Sequence, residues 1–309
     1  MKVYTTAALL SLSSIVSAGP TKGTGSLPKV DLGYEIYRAN SLNDTTNLYS
    51  FSNIRFAAPP TGKNRFAAPQ PPVKNRSSVQ FNNSEPICPQ AAPLWGLGTQ
   101  DFIQSYFLEG QRSFNRSEFE SPLPANFTIN DINLATFPTN IVPPIDPRTT
   151  EDCLFLDVVV PQHIFKKKKK NGRGAAVIVW IYGGGYTGGS KTDGFDPTGL
   201  LARSQNGDDD DGVVYVAINY RLGAFGWMSG PTFQTNGTAN AGLHDQRFAL
   251  EWVQEHISKF GGDPKRVTVF GESAGGGSIM GQITAYGGKK GPAPFSQVRL
   301  ETELFCSSC

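Results

Sequence analysis

Arg266-Val267-Thr268-Val269-Phe270-Gly271-Glu272-Ser273-Ala274-Gly275-Gly276-Gly277-Ser278-Ile279-Met280 decides how the rest of this chain is read. A β-branched and aromatic run, Val267 to Phe270, meets Gly271-Glu272-Ser273-Ala274-Gly275, and small residues compatible with a helix follow. The order is strand, sharp turn, helix. A serine at so tight a turn needs neighbours without side chains, because adjoining chain passes close on both sides, and the G-x-S-x-G spacing supplies them. The turn pushes the Ser273 hydroxyl out of the sheet edge, and the free N–H groups of the helix N-terminus favour an anion formed beside it. Ser273 is therefore a candidate nucleophile. Gly-rich turns before helices are common in their own right, so the pentapeptide takes its meaning from the rest of the chain.

With 309 residues, 39% of them hydrophobic, the chain can fill one large core or two modest ones, and nothing in its length excludes a single α/β domain. A formal net charge of +2 makes no electrostatic case for a nucleic-acid partner. Lys2, an apolar and hydroxyl-rich stretch from Val3 to Val16, and Val16-Ser17-Ala18 before Gly19-Pro20 match a secretory signal peptide over 1–18. No later run approaches the length of a transmembrane segment. Sequons at Asn43, Asn75, Asn82, Asn115, Asn126 and Asn236 agree with a secreted, extracellular glycoprotein and place those asparagines on the surface.

Along the chain, Tyr34 to Tyr37 and Thr46 to Tyr49 read as early strands, and Pro69 to Thr150 as long loops over a scaffold. Leu154 to Val160, broken by Asp157, and Val177 to Tyr182 and Val213 to Ile218 are apolar runs of the kind buried on both faces of a parallel sheet. The charge runs between them, Lys166 to Lys170 and Asp208 to Asp211, read as solvated loops. Phe248, Ala249, Leu250, Trp252, Val253 and Ile257 recur at helical spacing, which predicts a helix over 242–259 stopped by Gly261-Gly262. The fold class is α/β, a mostly parallel central sheet with helices on both faces.

The second chemical component is Trp180-Ile181-Tyr182-Gly183-Gly184-Gly185-Tyr186. Three glycines straight after a buried strand let backbone N–H groups converge on one point without obstruction, as an oxyanion hole requires. Alone this would be a plain Gly-rich turn. Paired with the elbow at Ser273 it becomes a second half of one site.

These segments, with Phe51-Ser52-Asn53-Ile54-Arg55-Phe56-Ala57-Ala58-Pro59-Pro60-Thr61-Gly62, Ala217 to Gly223, Asn240 to Arg247 and Phe260 to Pro264, closely resemble the type-B carboxylesterase and lipase family. The Gly-Gly-Gly-Ser run after Ala274 is like that of secreted fungal members. The resemblance implies an α/β-hydrolase fold and hydrolysis of a small-molecule or lipid ester, with no cofactor and no metal. It implies oxyanion donors at Gly184, Gly185 and Ala274, and a disulfide between Cys88 and Cys153; from the residues alone, two separate buried thiols remain possible. Asn219, Arg221, Asp245 and Gln246 read as buried polar scaffold.

One departure stands out. The fold's triad runs Ser, then Asp or Glu, then His, yet no histidine follows Ser273, and the only later carboxylates are Glu301 and Glu303. His163, His244 and His256 read as packing or surface residues. Past Gln297 the family's apolar strand is absent, so 298–309 reads as an aberrant tail on an incomplete domain over 19–297. Cys306-x-x-Cys309 has no following helix to make it a redox motif. The expectation is a hydrolase fragment without turnover; the alternative is a non-catalytic interaction protein of the same fold. The oligomeric state is not legible.

Overall fold

The computed structural model describes residues 26–81, 83–91, 145–167, 173–206 and 212–301. Strands β1 (Lys29–Asp31), β2 (Ile36–Arg38) and β5 (Val79–Gln80) form a small sheet in the order β1-β2-β5. The main sheet takes β3 (Ser41–Asn43), β4 (Leu48–Arg55), β6 (Phe155–Pro161), β7 (Ala175–Ile181), β8 (Val213–Ile218), β9 (Gly262–Glu272) and β10 (Gln297–Glu301). Its order is β10-β9-β7-β8-β6-β4-β3. Strands β10, β9, β7 and β8 pair in parallel, whereas β6, β4 and β3 each join antiparallel to the strand before. Only β6 and β3 therefore run against the common direction.

Strand β7 is the pivot. Its successor β8 lies on one side and β9 on the other, so strand order reverses across it, and such a switch point opens a crevice at the carboxyl ends of the strands. The apolar sequence of β7 suits a strand covered on both faces. Val179 pairs with Val269 and Trp180 with Phe270. Alternation then makes one face aliphatic, with Val177, Val179, Val267 and Val269 fully buried, and the other aromatic, with Trp180 4.9 Å from Phe270 and 5.4 Å from Phe195.

Six α-helices are described: α1 (Gln162–Lys167), α2 (Thr198–Ser204), α3 (Gly223–Trp227), α4 (Pro231–Gln234), α5 (Ala241–His256) and α6 (Ala274–Thr284). The helical spacing read for 242–259 corresponds to α5 plus a 3₁₀ turn, Ile257–Phe260. Gly261 ends it at φ +92°, and a Cβ there would lie 2.8 Å from the Ile164 carbonyl oxygen, so no other residue fits this stop. Lys166 and Lys167 close α1 and are exposed, while the acidic run 208–211 lies outside the described residues.

The polar scaffold is buried as the sequence implied. Asp245 accepts bonds from the Arg221 backbone N–H (3.1 Å), Nε (2.8 Å) and Nη2 (2.7 Å), and Gln246 donates to Ser278 Oγ at 2.9 Å. Asn219 donates to the Pro86 and Cys153 carbonyls and accepts the Lys191 N–H. Cys88 and Cys153 are disulfide-bonded across 65 positions, with Cα atoms 5.0 Å apart.

The expectation that no strand follows Gln297 needs correction. Gln297–Glu301 is a strand, parallel to β9 in the register Val298 to Val269 and Leu300 to Gly271. Its side chains are all exposed. Ladder formation draws on backbone N–H and C=O groups, so β10 forms without the apolar run expected of it. Residues 302–309, with both Cys306 and Cys309, lie outside the described residues, as does the signal-like segment 1–18.

Candidate active site

Two loops leave neighbouring strands at the pivot. β9 ends at Glu272, Ser273 adopts φ +51° and ψ −119°, and α6 starts at Ala274. A positive φ in a serine is a strained backbone, held here by close packing on both sides. A Cβ on Gly271 would come within 2.6 Å of the Gly275 carbonyl carbon, and one on Gly275 within 2.0 Å of the Ile181 carbonyl oxygen. The glycines of the pentapeptide are thus set by the approach of α6 to both β9 and β7. The Ser273 N–H donates to the Glu301 carbonyl at 2.8 Å, so β10 secures the turn from its other flank.

The loop after β7 lies against that elbow. A Cβ on Gly183 would sit 3.0 Å from Ser273 Cβ and would strike the Glu272 carboxylate. Gly184 and Gly185 follow at φ +93° and +62°, both exposed, and Tyr186 continues the left-handed turn at +63°. The Gly184 carbonyl accepts the N–H groups of Thr187 and Gly188, each at 3.0 Å, which turns the loop back on itself. Its return is held by Gln90, whose side chain accepts the Gly189 N–H at 2.7 Å and donates to the carbonyls of Gly189 and Cys88. The disulfide therefore anchors the segment that braces this loop.

Two tyrosines fix the loop's root. Tyr182 and Tyr220 stack with ring centroids 4.4 Å apart, and each hydroxyl donates to the other's backbone carbonyl, at 3.1 and 2.8 Å. Burial raises both phenols above their ordinary pKa, so they remain donors at every physiological pH. Sequence reasoning missed this clasp; the signal available was a tyrosine at the end of one apolar run, Tyr182, and another just past the next, Tyr220. It missed too the buried pair of Lys191 Nζ and Asp157 at 2.7 Å.

The nucleophile candidate Ser273 and the donor candidates Gly184, Gly185 and Ala274 come together at the carboxyl ends of β7 and β9. The histidines do not join them. His256 precedes β9, whose 11 residues separate it from Ser273 by about 35 Å of extended chain. Its ring packs edge-on against Tyr34 and beside Trp252, and burial lowers its pKa. His163, on α1, lies 3.6 Å from the position of a Cβ on Gly212, beside the start of β8 and at the opposite end of the sheet. His244 shares a small cavity with Gly281, Gln282 and Tyr286, and Gly281 is eight residues into α6, roughly 12 Å along the axis from Ser273. Desolvation also lowers its pKa.

Among the sequons, Asn43, Asn75 and Asn236 are exposed, while Asn82, Asn115 and Asn126 lie outside the described residues. No described helix is long and apolar enough to cross a membrane, and no described cluster of His, Cys, Asp and Glu could hold a metal ion.

Known proteins of similar sequence are carboxylesterases and lipases. Carboxylesterase patB of Aspergillus clavatus is 45% identical over 298 residues, covering 95% of this chain and 50% of that protein. Lipase 2 of Geotrichum candidum is 37% identical over 239 residues, covering 77% of this chain and 37% of that protein. The crystal structure of Aspergillus niger EstA superposes with a TM-score of 0.62 at 30% identity, covering 88% of this chain and 41% of that one. The chain spans about half the length of the curated relatives it matches. The fold is that of the α/β-hydrolases. The carboxylesterase family model matches residues 38–290, and the chain belongs to that family.

Proposed function

We propose that this chain carries the nucleophile and oxyanion hole of a secreted carboxylic ester hydrolase. The observation that carries the proposal is the strained Ser273 at the junction of β9 and α6, facing the left-handed Gly184-Gly185 turn across the pivot of the sheet. Ser273 Oγ bonds to the ester carbonyl carbon and gives its proton to a general base. The carbonyl oxygen becomes an anion received by the N–H groups of Gly184, Gly185 and Ala274. Collapse breaks the bond to the alkoxy oxygen, which leaves as the alcohol with the proton from the base. Water then adds to the acyl-serine, releasing the acid and restoring Ser273.

The general base is not one of the three histidines. Without it the Ser273 hydroxyl stays protonated near neutral pH, and general-base assistance is worth about 10²–10⁴-fold. These 309 residues therefore bind and polarise an ester but turn it over hardly faster than a Ser273→Ala chain. Secretion is supported by the signal-like segment 1–18, the exposed sequon asparagines and the disulfide. A relative named Secreted lipase, from Arthroderma benhamiae, is 45% identical over 140 residues. The substrate class is a small-molecule or lipid ester.

The test uses the chain secreted from a eukaryotic host, beside its Ser273→Ala partner. Even without the base, the oxyanion donors polarise a phosphonate and leave a residual acceleration of about 10³-fold, so prolonged exposure to an aryl phosphonate should modify Ser273 in preference to other serines, as read by peptide mass spectrometry. Turnover of an activated aryl ester should be the same in both chains. Labelling spread over surface serines would end the nucleophile assignment, and strong Ser273-dependent turnover would return a histidine of this chain to the mechanism.

A further inference from the structure

We infer that Tyr186 is a positioning residue, a latch that holds the Gly183–Gly185 loop in register with the first turn of α6; this rests on the hydrolase reading of Ser273. Tyr186 is the one non-glycine member of a left-handed run, with φ +63° after +93° at Gly184 and +62° at Gly185. A bulky residue persists there only when its surroundings hold it. Three contacts do so. Its ring centroid lies 3.9 Å from that of Trp227, which is itself tethered by an N–H bond to the Arg221 carbonyl at 3.1 Å. Its backbone carbonyl accepts the Gly223 N–H at 2.8 Å. Its hydroxyl reaches over α6 to Gly277, where a Cβ would lie 2.7 Å from the hydroxyl oxygen and 3.9 Å from Cζ.

Gly277 is one helical turn beyond the nucleophile, and its N–H donates to the Ser273 carbonyl at 3.0 Å. Glycine is a poor residue for a helix interior, so its presence wants a local reason. That reason is the Tyr186 hydroxyl, which fills the volume a side chain would take. The contact links the loop that carries Gly184 and Gly185 directly to the turn that carries Ser273 and Ala274. Oxyanion donors act only when aimed at the developing charge, and a displacement near 1 Å costs about 10²-fold in rate.

The test is a double-mutant cycle in the full 309-residue chain with Gly277→Ala, Tyr186→Phe and both together. In an ordinary helix Gly→Ala raises stability. Here G277A alone should lower the urea midpoint, because the new methyl meets the hydroxyl. In the Y186F background it should raise the midpoint, since 3.9 Å from Cζ is normal contact. The second readout is phosphonylation of Ser273 by the aryl phosphonate. G277A should slow the limiting rate about tenfold with the half-saturating concentration unchanged, and the double variant should recover to within about twofold of the parent. A midpoint raised by G277A in both backgrounds, with labelling intact, would overturn the latch and leave the hydrolase reading standing. Coupled midpoints with Ser273 unlabelled in every chain would overturn the hydrolase reading, and with it the role given to the latch.

Discussion

Asp245→Ala should be among the most damaging single changes away from the two loops. The Arg221 side chain is 3% exposed and that of Asp245 is fully buried, so neither charge has water as an alternative partner. Asp245 receives three bonds from Arg221, and the guanidinium has one further acceptor, the Ala67 carbonyl at 2.8 Å, while Nη1 has no described partner. Removing the carboxylate leaves a buried cation with a single carbonyl, and breaking such a pair costs about 3–5 kcal/mol. Set beside a typical domain stability of about 5–15 kcal/mol, that is a large share. The assay is urea unfolding followed by far-UV circular dichroism on the secreted chain. Replacing both partners, Arg221→Met with Asp245→Leu, should cost less than the single change, because no charge is then stranded; the Ala67 carbonyl left without its donor accounts for about 1 kcal/mol of what remains. A loss under about 1 kcal/mol for Asp245→Ala, or a double variant no better than the single, would refute the reasoning that desolvation governs this pair.

The disulfide should be found as a linked Cys88–Cys153 peptide by non-reducing mapping, and its removal should cost about 4 kcal/mol by the chain-entropy estimate for a loop of this length. Free thiols at both positions, or an unchanged urea midpoint after reduction, would contradict it. Acidification should destabilise through His256. Its pKa is lowered by burial in the folded chain and returns to its ordinary value on unfolding, so the unfolded chain binds the extra proton. Stability is then full above about pH 6.5 and declines as pH falls through that value. The decline should shrink in His256→Phe, and an identical pH dependence of the urea midpoint in both chains would show that another group is responsible.

How much of this was legible beforehand depended on whether the cause was local. Helix α5 announced itself because one face repeats apolar residues at helical spacing and because Gly261 alone tolerates the stop. The elbow was legible because its glycines are spaced for a tight turn within five residues, although β7, which also crowds Gly275, lies far off in the chain. Strand order was not. Nothing in Ala175–Ile181 says that β8 and β9 will take opposite sides of it, since all three strands are apolar and any pair could form a ladder. Tyr186 and Gly277 meet across 91 positions by an approach that neither local sequence encodes, and Lys191 finds Asp157 across 34. Strand β10 was misread because its side chains carry no burial signal: Val298 and Leu300 are 42% and 38% exposed, and what recruits them is the open backbone of β9.

The bond from the Ser273 N–H to the Glu301 carbonyl gives that outermost strand an influence beyond its size. Among the described residues β10 is the margin of the main sheet, paired on one side and uncovered along its length. Margins are where native ensembles open first, at a free energy well below that of global unfolding. Each time this ladder frays, the elbow keeps its contacts with β7 but loses its restraint on the other flank. The nucleophile thus inherits the breathing of the sheet's least protected strand, and a partner segment that merely extended the ladder past β10 would quiet the site without touching it.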